Sequence, residues 1–235
     1  MGRICAPIVA LMLAAACGSP AAASYEQTHS AQQIVTDASK STGSANSFHI
    51  NVDADTSQGR ATADLDVEGS NLKGTVTGQG LQVRITHVDG KTYVFGADLM
   101  AVLLKTDPQA AAVVQAKAIN KWVLMPAEFW DSTGLSAITD VHKLTDCLQA
   151  SSGLNKKGTS NVLAMRVVEV DNQAASKLFV ATSGPHYFAR MALQSGDKCI
   201  PDSNASSETI DLTKVGTKLG ITAPADSVDL QTLAG

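Results

Sequence analysis

Between Phe48 and Phe95 the chain alternates apolar and polar residues between tight-turn signals, a pattern expected of an antiparallel meander with one dry face. Phe48, Ile50, Val52 and Ala54 interleave with His49, Asn51, Asp53 and Asp55. A turn at Gln58-Gly59 sets Val52 opposite Leu65, Ile50 opposite Val67 and Asp53 opposite Asp64. Turns at Ser70-Asn71, Gln79-Gly80 and Asp89-Gly90 then pair Leu65 with Val76, Val76 with Val83 and Ile85 with Val94. Every hairpin keeps its apolar side chains on one face, as a shared register requires.

That inner face also carries Ala54, Ala63, Gly74, Gly78 and Gly96. Small residues within strands allow something to approach closely, either a helix lying tight on the sheet or an apolar ligand. The outer parity holds Tyr93 and Phe95, which belong to an interface or lie under the C-terminal tail. It also holds Asp53, Asp55, Asp64, Asp66 and Glu68, with His49 expected to face Glu68 and Arg84 to lie near Asp66. Such a face is solvated or attracts a cation, although no loop here has calcium-site spacing. His87 falls on the inner parity near a strand end and reads as a rim residue.

Outside the meander, Ser30 is placed to cap a helix from Ala31 to about Ser41. After Phe95 the period lengthens to helical spacing: Leu99, Val102 and Leu103 share a face, and Pro108 opens a second helix. A strand from Lys121 to Met125, a helical turn at Glu128 to Trp130 and a helix from Ile138 to Leu148 follow. Gly153 to Gly158 reads as an exposed loop. Strands are expected over Asn161 to Val170, Lys177 to Thr182, Tyr187 to Gln194 and Ser207 to Leu212. One helix, many strands, a helical insert and more strands imply an α+β fold, with an antiparallel sheet carrying its helices on one face.

The N-terminus has its own logic. Met1-Gly2-Arg3, then apolar Ile4 to Ala16, form a positive n-region and an h-region too short to span a membrane. Leu13-Ala14-Ala15-Ala16-Cys17-Gly18-Ser19 resembles a bacterial lipobox, with Ala14 where that motif usually has Leu. The resemblance implies a lipoprotein signal peptide at 1–16, lipidation of Cys17, and a tether over 17–29 before one domain at 30–235. An ordinary secretory signal with an incidental cysteine is the alternative. Of the four cysteines, Cys5 leaves with the signal and Cys147 and Cys199 remain, an even pair that reads as a disulfide in an exported chain. A metal or redox role would call for a tighter motif such as C-x-x-C.

Composition narrows the function. Charged residues make up 17% of the chain and the formal charge is -4, so there is no basic excess for nucleic acid. With 44% hydrophobic but only 4% aromatic residues, the core must be built from aliphatics. The sequence has no G-x-S-x-G elbow, H-E-x-x-H, Walker loop or dinucleotide fingerprint, and its five histidines are scattered. A non-enzyme without metal or cofactor is expected.

The succession Val83-Arg84-Ile85, Asp89-Gly90-Lys91-Thr92-Tyr93-Val94, Lys121-Trp122-Val123, Phe179 to Tyr187 and Ile221-Thr222-Ala223-Pro224 with Ser227 to Leu230 resembles the actinobacterial LppX/LprA/LprF/LprG lipoproteins. The resemblance spans nearly the whole mature chain. It implies a half-barrel similar to LolA and LolB, in which a bent sheet and helices enclose an apolar cavity for acylated lipids or glycolipids. Implied partners are the membrane, through the acyl chains, and an envelope lipid transporter, at the outer face of the cell membrane. By parity, Ile50, Val52, Leu65, Val67, Val76, Val83, Ile85 and Val94 would line the cavity. The competing reading is an envelope accessory or signalling lipoprotein that binds a protein partner.

Overall fold

A computed structural model describes residues 24–133, 135, 140–200 and 205–233; the signal peptide, Cys17 and most of the tether lie outside them. Its first half is the expected meander: β1 (Ser47–Thr56), β2 (Gly59–Glu68), β3 (Asn71–Gly78), β4 (Leu81–Val88) and β5 (Lys91–Phe95). Before it come α1 (Tyr25–Thr28) and α2 (Ala31–Gly43). The insert comprises α3 (Gly96–Thr106), α4 (Pro108–Lys117), β6 (Trp122–Leu124), α5 (Ala127–Ser132) and α6 (Val141–Gln149). The remainder is β7 (Asn155–Val162), β8 (Met165–Asp171), β9 (Lys177–Ala181), β10 (Phe188–Gln194), β11 (Ala205–Thr213), β12 (Ser227–Asp229) and α7 (Leu230–Leu233).

Twelve strands form one open sheet in the order β12-β6-β5-β4-β3-β2-β1-β11-β10-β9-β8-β7. Its pairings are antiparallel except β12 on β6. The architecture is α+β, an unclosed half-barrel with helices on its inner face. Sequence explains the helix positions. Ser30 Oγ accepts from Gln33 N, and the Gln33 side chain accepts from Ser30 N, closing a capping box at the start of α2. Pro108 occupies the first turn of α4, and Asp107 caps it. Ile34, Val35 and Ala38 of α2 are fully buried with Leu144 and Leu148 of α6 against Phe48, Ile50, Leu65, Phe188 and Leu212 of the sheet.

Two hairpin registers differ from expectation by two residues. Thr56 pairs with Gly59, so Ile50 faces Leu65, Val52 faces Ala63 and Asp53 faces Thr62. Glu68 pairs with Asn71, so Leu65 faces Gly74 and Val76 faces Ala63. A two-residue slip preserves the face of every side chain. The cause is where each turn puts its left-handed residue. Gln79 and Gly80 (φ 52 and 74°) and Asp89 and Gly90 (φ 51 and 73°) occupy both loop positions, as the sequence suggests. Gly59 (φ 107°) instead follows its turn, and Gly69 (φ 59°) opens the next.

The expected single strand Asn161 to Val170 is a hairpin, β7–β8, and the expected loop at Gly153 to Gly158 already belongs to β7 from Asn155. Leu163 and Ala164 make its turn at φ 51 and 62°, where no sequence rule looks for one. β7 is an exposed edge strand without apolar alternation, which is why it resembles a loop. Lys156, Lys157 and a register irregularity between Lys156 and Thr159 protect that edge from pairing with another chain.

Within the expected tether, Tyr25–Thr28 already form α1. Tyr25 stacks on His186 with ring centroids 3.6 Å apart and donates to Asp37 Oδ2 at 3.0 Å.

Candidate functional site

The inner face of the meander is built by alternation alone. Ile50, Val52, Leu65, Val67 and Ile85 are buried in an apolar cluster roofed by α2 and α6. Val94 belongs to a second cluster with Leu99 of α3, Val114 of α4 and Val123 of β6. The remaining two of the eight expected residues, Val76 and Val83, face each other across β3 and β4 and are only partly buried. Val76 packs on the first cluster and Val83 on the second. The inner face therefore has two closed regions and, between them, an apolar seam at Val76 and Val83 that is only partly buried. Phe129 of α5 packs against both clusters. Met100 and Leu103 of α3, partly buried against the second cluster, extend the apolar surface near Val83.

The small inner residues have a different meaning from a ligand-sized gap. A Cβ on Gly74 would lie 2.0 Å from the Asp64 carbonyl oxygen, and one on Gly96 would lie 1.9 Å from that of Ala118. Chain against chain occupies that space: β2 at Gly74 and the end of α4 at Gly96. Gly78 has nothing nearby.

His87 is buried, not at a rim. Its Nδ1 lies 2.8 Å from Thr92 Oγ1, and its ring stacks on Trp130 of α5 at 3.9 Å. Burial holds its pKa below the usual imidazole value, so it is neutral at pH 7. The sequence marks a helical turn at Trp130, but not which ring it covers. His87 and Trp130 fix α5 over β4 beside the seam.

A groove of about 690 Å³ indents the opposite, outer face, lined by Asn51, Asp53, Asp64, Thr75, Arg190 and Asp211 among others. It is polar, and two of its carboxylates are paired with arginines. Arg190 makes two hydrogen bonds to Asp211, at 2.6 and 2.7 Å, and Arg60 pairs with Asp53. The slipped register brings His49 Nδ1 to 2.8 Å from Asp66, not to Glu68. Arg84 binds Asp98 through Nε (2.8 Å) and Nη2 (3.0 Å) and lies over the Phe95 ring, away from Asp66. The Arg84 guanidinium and backbone N–H hold the Asp98 carboxyl below the usual range against its partial burial. Among the described residues no His, Cys, Asp or Glu cluster is able to hold a metal ion. This is a solvated face. Tyr93, on the same parity, is buried, and the tail is pinned either side of it by Gly220 N on Glu68 and Trp122 N on the Asp226 carbonyl.

Cys147 and Cys199 form the disulfide, Cα to Cα 5.6 Å, joining α6 to the segment after β10. It fastens the helix that roofs the first cluster. Ser39 Oγ donates to the Thr145 carbonyl at 3.1 Å, and Gly43 lies close to His142 and Thr145, so α2 and α6 meet through small and polar residues.

No family model matches the chain, and no curated relative does. Solved structures do. LprF from Mycobacterium bovis matches with a TM-score of 0.57 at 15% identity, over 83% of this chain and 97% of that one. The Mycobacterium tuberculosis lipoprotein LppX matches with a TM-score of 0.51 at 15% identity, over 82% and 98%. The fold is that of the LppX- and LprF-type lipoproteins. The likeness extends over nearly the whole described chain, so the helical insert and the C-terminal strands belong to the fold as much as the meander does. Among the described residues no helix is long and apolar enough to cross a membrane.

Proposed function

We propose that this protein is an envelope lipoprotein, anchored through acyl chains on Cys17 at the outer face of the cell membrane, that binds and carries acylated lipid or glycolipid without catalysing a reaction. The observation carrying this reading is the apolar seam at Val76 and Val83. An open half-barrel leaves aliphatic side chains half-covered between two helix-roofed clusters, where a hydrocarbon chain would remove them from water. Each CH₂ shielded there contributes about 0.8 kcal/mol, so a chain of ordinary length needs no polar anchor to be held. Ile50, Val52, Leu65, Val67, Ile85 and Val94 form the walls on either side. The ligand enters by displacing α5 or α3, whose Phe129, Met100 and Leu103 are only partly buried. No bound cofactor is required beyond the lipid, and an envelope lipid transporter would load or empty the site.

Val76→Trp fills the seam from one strand and Val83→Trp from the facing strand. Both variants are expected to fold and to lose uptake of a fluorescent fatty acid by at least tenfold. Normal uptake by the folded variants would place the ligand elsewhere and refute this site.

A further inference from the structure

The hairpin β7–β8 ends on an anomaly. Both residues of its turn have left-handed backbone, Leu163 at φ 51° and Ala164 at φ 62°. Positive φ at both positions favours Asn-Gly or Asp-Gly, and a γ-branched residue there is strained. The other four hairpins of adjacent strands in the meander place Ser57, Gln58, Gly69, Ser70, Gln79, Gly80, Asp89 or Gly90 at their tips. Here the tip reads Val162-Leu163-Ala164-Met165, with Leu163 40% exposed. Strain and exposure are thus combined at one apolar loop. Leu104, the other large exposed aliphatic among the described residues, sits in a regular helix and is unremarkable.

The second observation is where the chain enters the fold. Ser24 precedes Tyr25, whose ring stacks on His186. The next residue, Tyr187, donates its hydroxyl to Met165 Sδ at 2.9 Å, and Arg166 pairs with Glu26 of α1 at 3.0 Å. The chain therefore emerges beside the hairpin tip. Six residues, 18–23, lie between Ser24 and the proposed acyl anchor at Cys17, a reach of about 25 Å at most. Whatever surface surrounds Ser24 is held within that distance of the bilayer.

We propose that the tip Val162-Leu163-Ala164-Met165 docks on the membrane, inserting Leu163 into the lipid interface beside the anchor. Tyr187, half-buried with its hydroxyl on Met165, suits the headgroup level where amphipathic rings collect. The contact orients the half-barrel relative to its anchor. The argument for proximity rests on acylation at Cys17, while the tip's own affinity for lipid does not.

The test uses the chain from residue 17 onward with Cys17→Ser, so that only the tip reports, and sedimentation with phosphatidylcholine/phosphatidylglycerol vesicles. In this background Leu163→Asn/Ala164→Gly supplies the residues the turn prefers. The double variant is expected to melt higher than its parent yet partition on the order of tenfold more weakly, the loss of one buried Leu. Equal partition of parent and variant, or no partition by the parent, overturns the proposal. The acyl mass on Cys17 of the natural chain reports the anchor separately, so failure of the anchor and failure of the tip are read from different measurements.

Discussion

Single residues decide where this chain bends and what it buries. Gly74 lets β2 and β3 approach within a distance that no side chain permits. Gly74→Ala is expected to cost about 3 kcal/mol, since the obstructing atom is a backbone carbonyl unable to move aside, and urea unfolding measures it. At the β7–β8 tip the effect runs the other way. Leu163→Asn/Ala164→Gly relieves backbone strain and is expected to add about 1 kcal/mol, seen as a Tm higher by ~2–4 °C. His87 gives a pH signature. Burial lowers its folded pKa, so the unfolded chain binds the proton more readily, and stability falls as pH drops from about 6.5 toward the folded value. Asp53, Asp98 and Asp140, held low by their cationic partners, contribute above about pH 4 and lose that contribution only below it. His87→Phe should therefore flatten the Tm profile just below pH 6.5 and leave the steeper acid limb in place.

At the scale of elements, period and turn chemistry carried most of the fold. Alternation over β1–β5 put Ile50, Val52, Leu65, Val67, Ile85 and Val94 on the buried face, and capping residues placed α2 and α4. What was not legible follows from physics that a pattern does not hold. Gly59 and Gly69 look the same in sequence as Gly80 and Gly90 but take different turn positions, so two registers slipped. Leu163-Ala164 has no turn signal because its backbone is held by the pairing on either side. The seam was hidden as well, since alternation says which face a valine occupies and not whether a helix covers it. Val76 and Val83 share the inner face with Ile85, yet only Ile85 is buried. The disulfide, by contrast, followed from counting cysteines in a chain read as exported. It closes a loop of 52 residues, so Cys147→Ala/Cys199→Ala is expected to lose about 4 kcal/mol by urea titration, with α6 and the first cluster loosened.

The whole molecule is an open sheet whose outer face is largely polar and whose inner face is roofed incompletely. That asymmetry is what the proposed carrier requires: a wet outer face and an apolar inner seam for hydrocarbon. LprF and LppX share the fold, while the cargo has to be read from the protein itself. Native mass spectrometry of the chain from residue 17 onward with Cys17→Ser, produced in an actinobacterial host, is the most direct measurement. The account predicts an adduct that organic extraction releases as an acylated lipid and that Val76→Trp abolishes. A clean protein mass that stays clean after incubation with membrane lipids would contradict it.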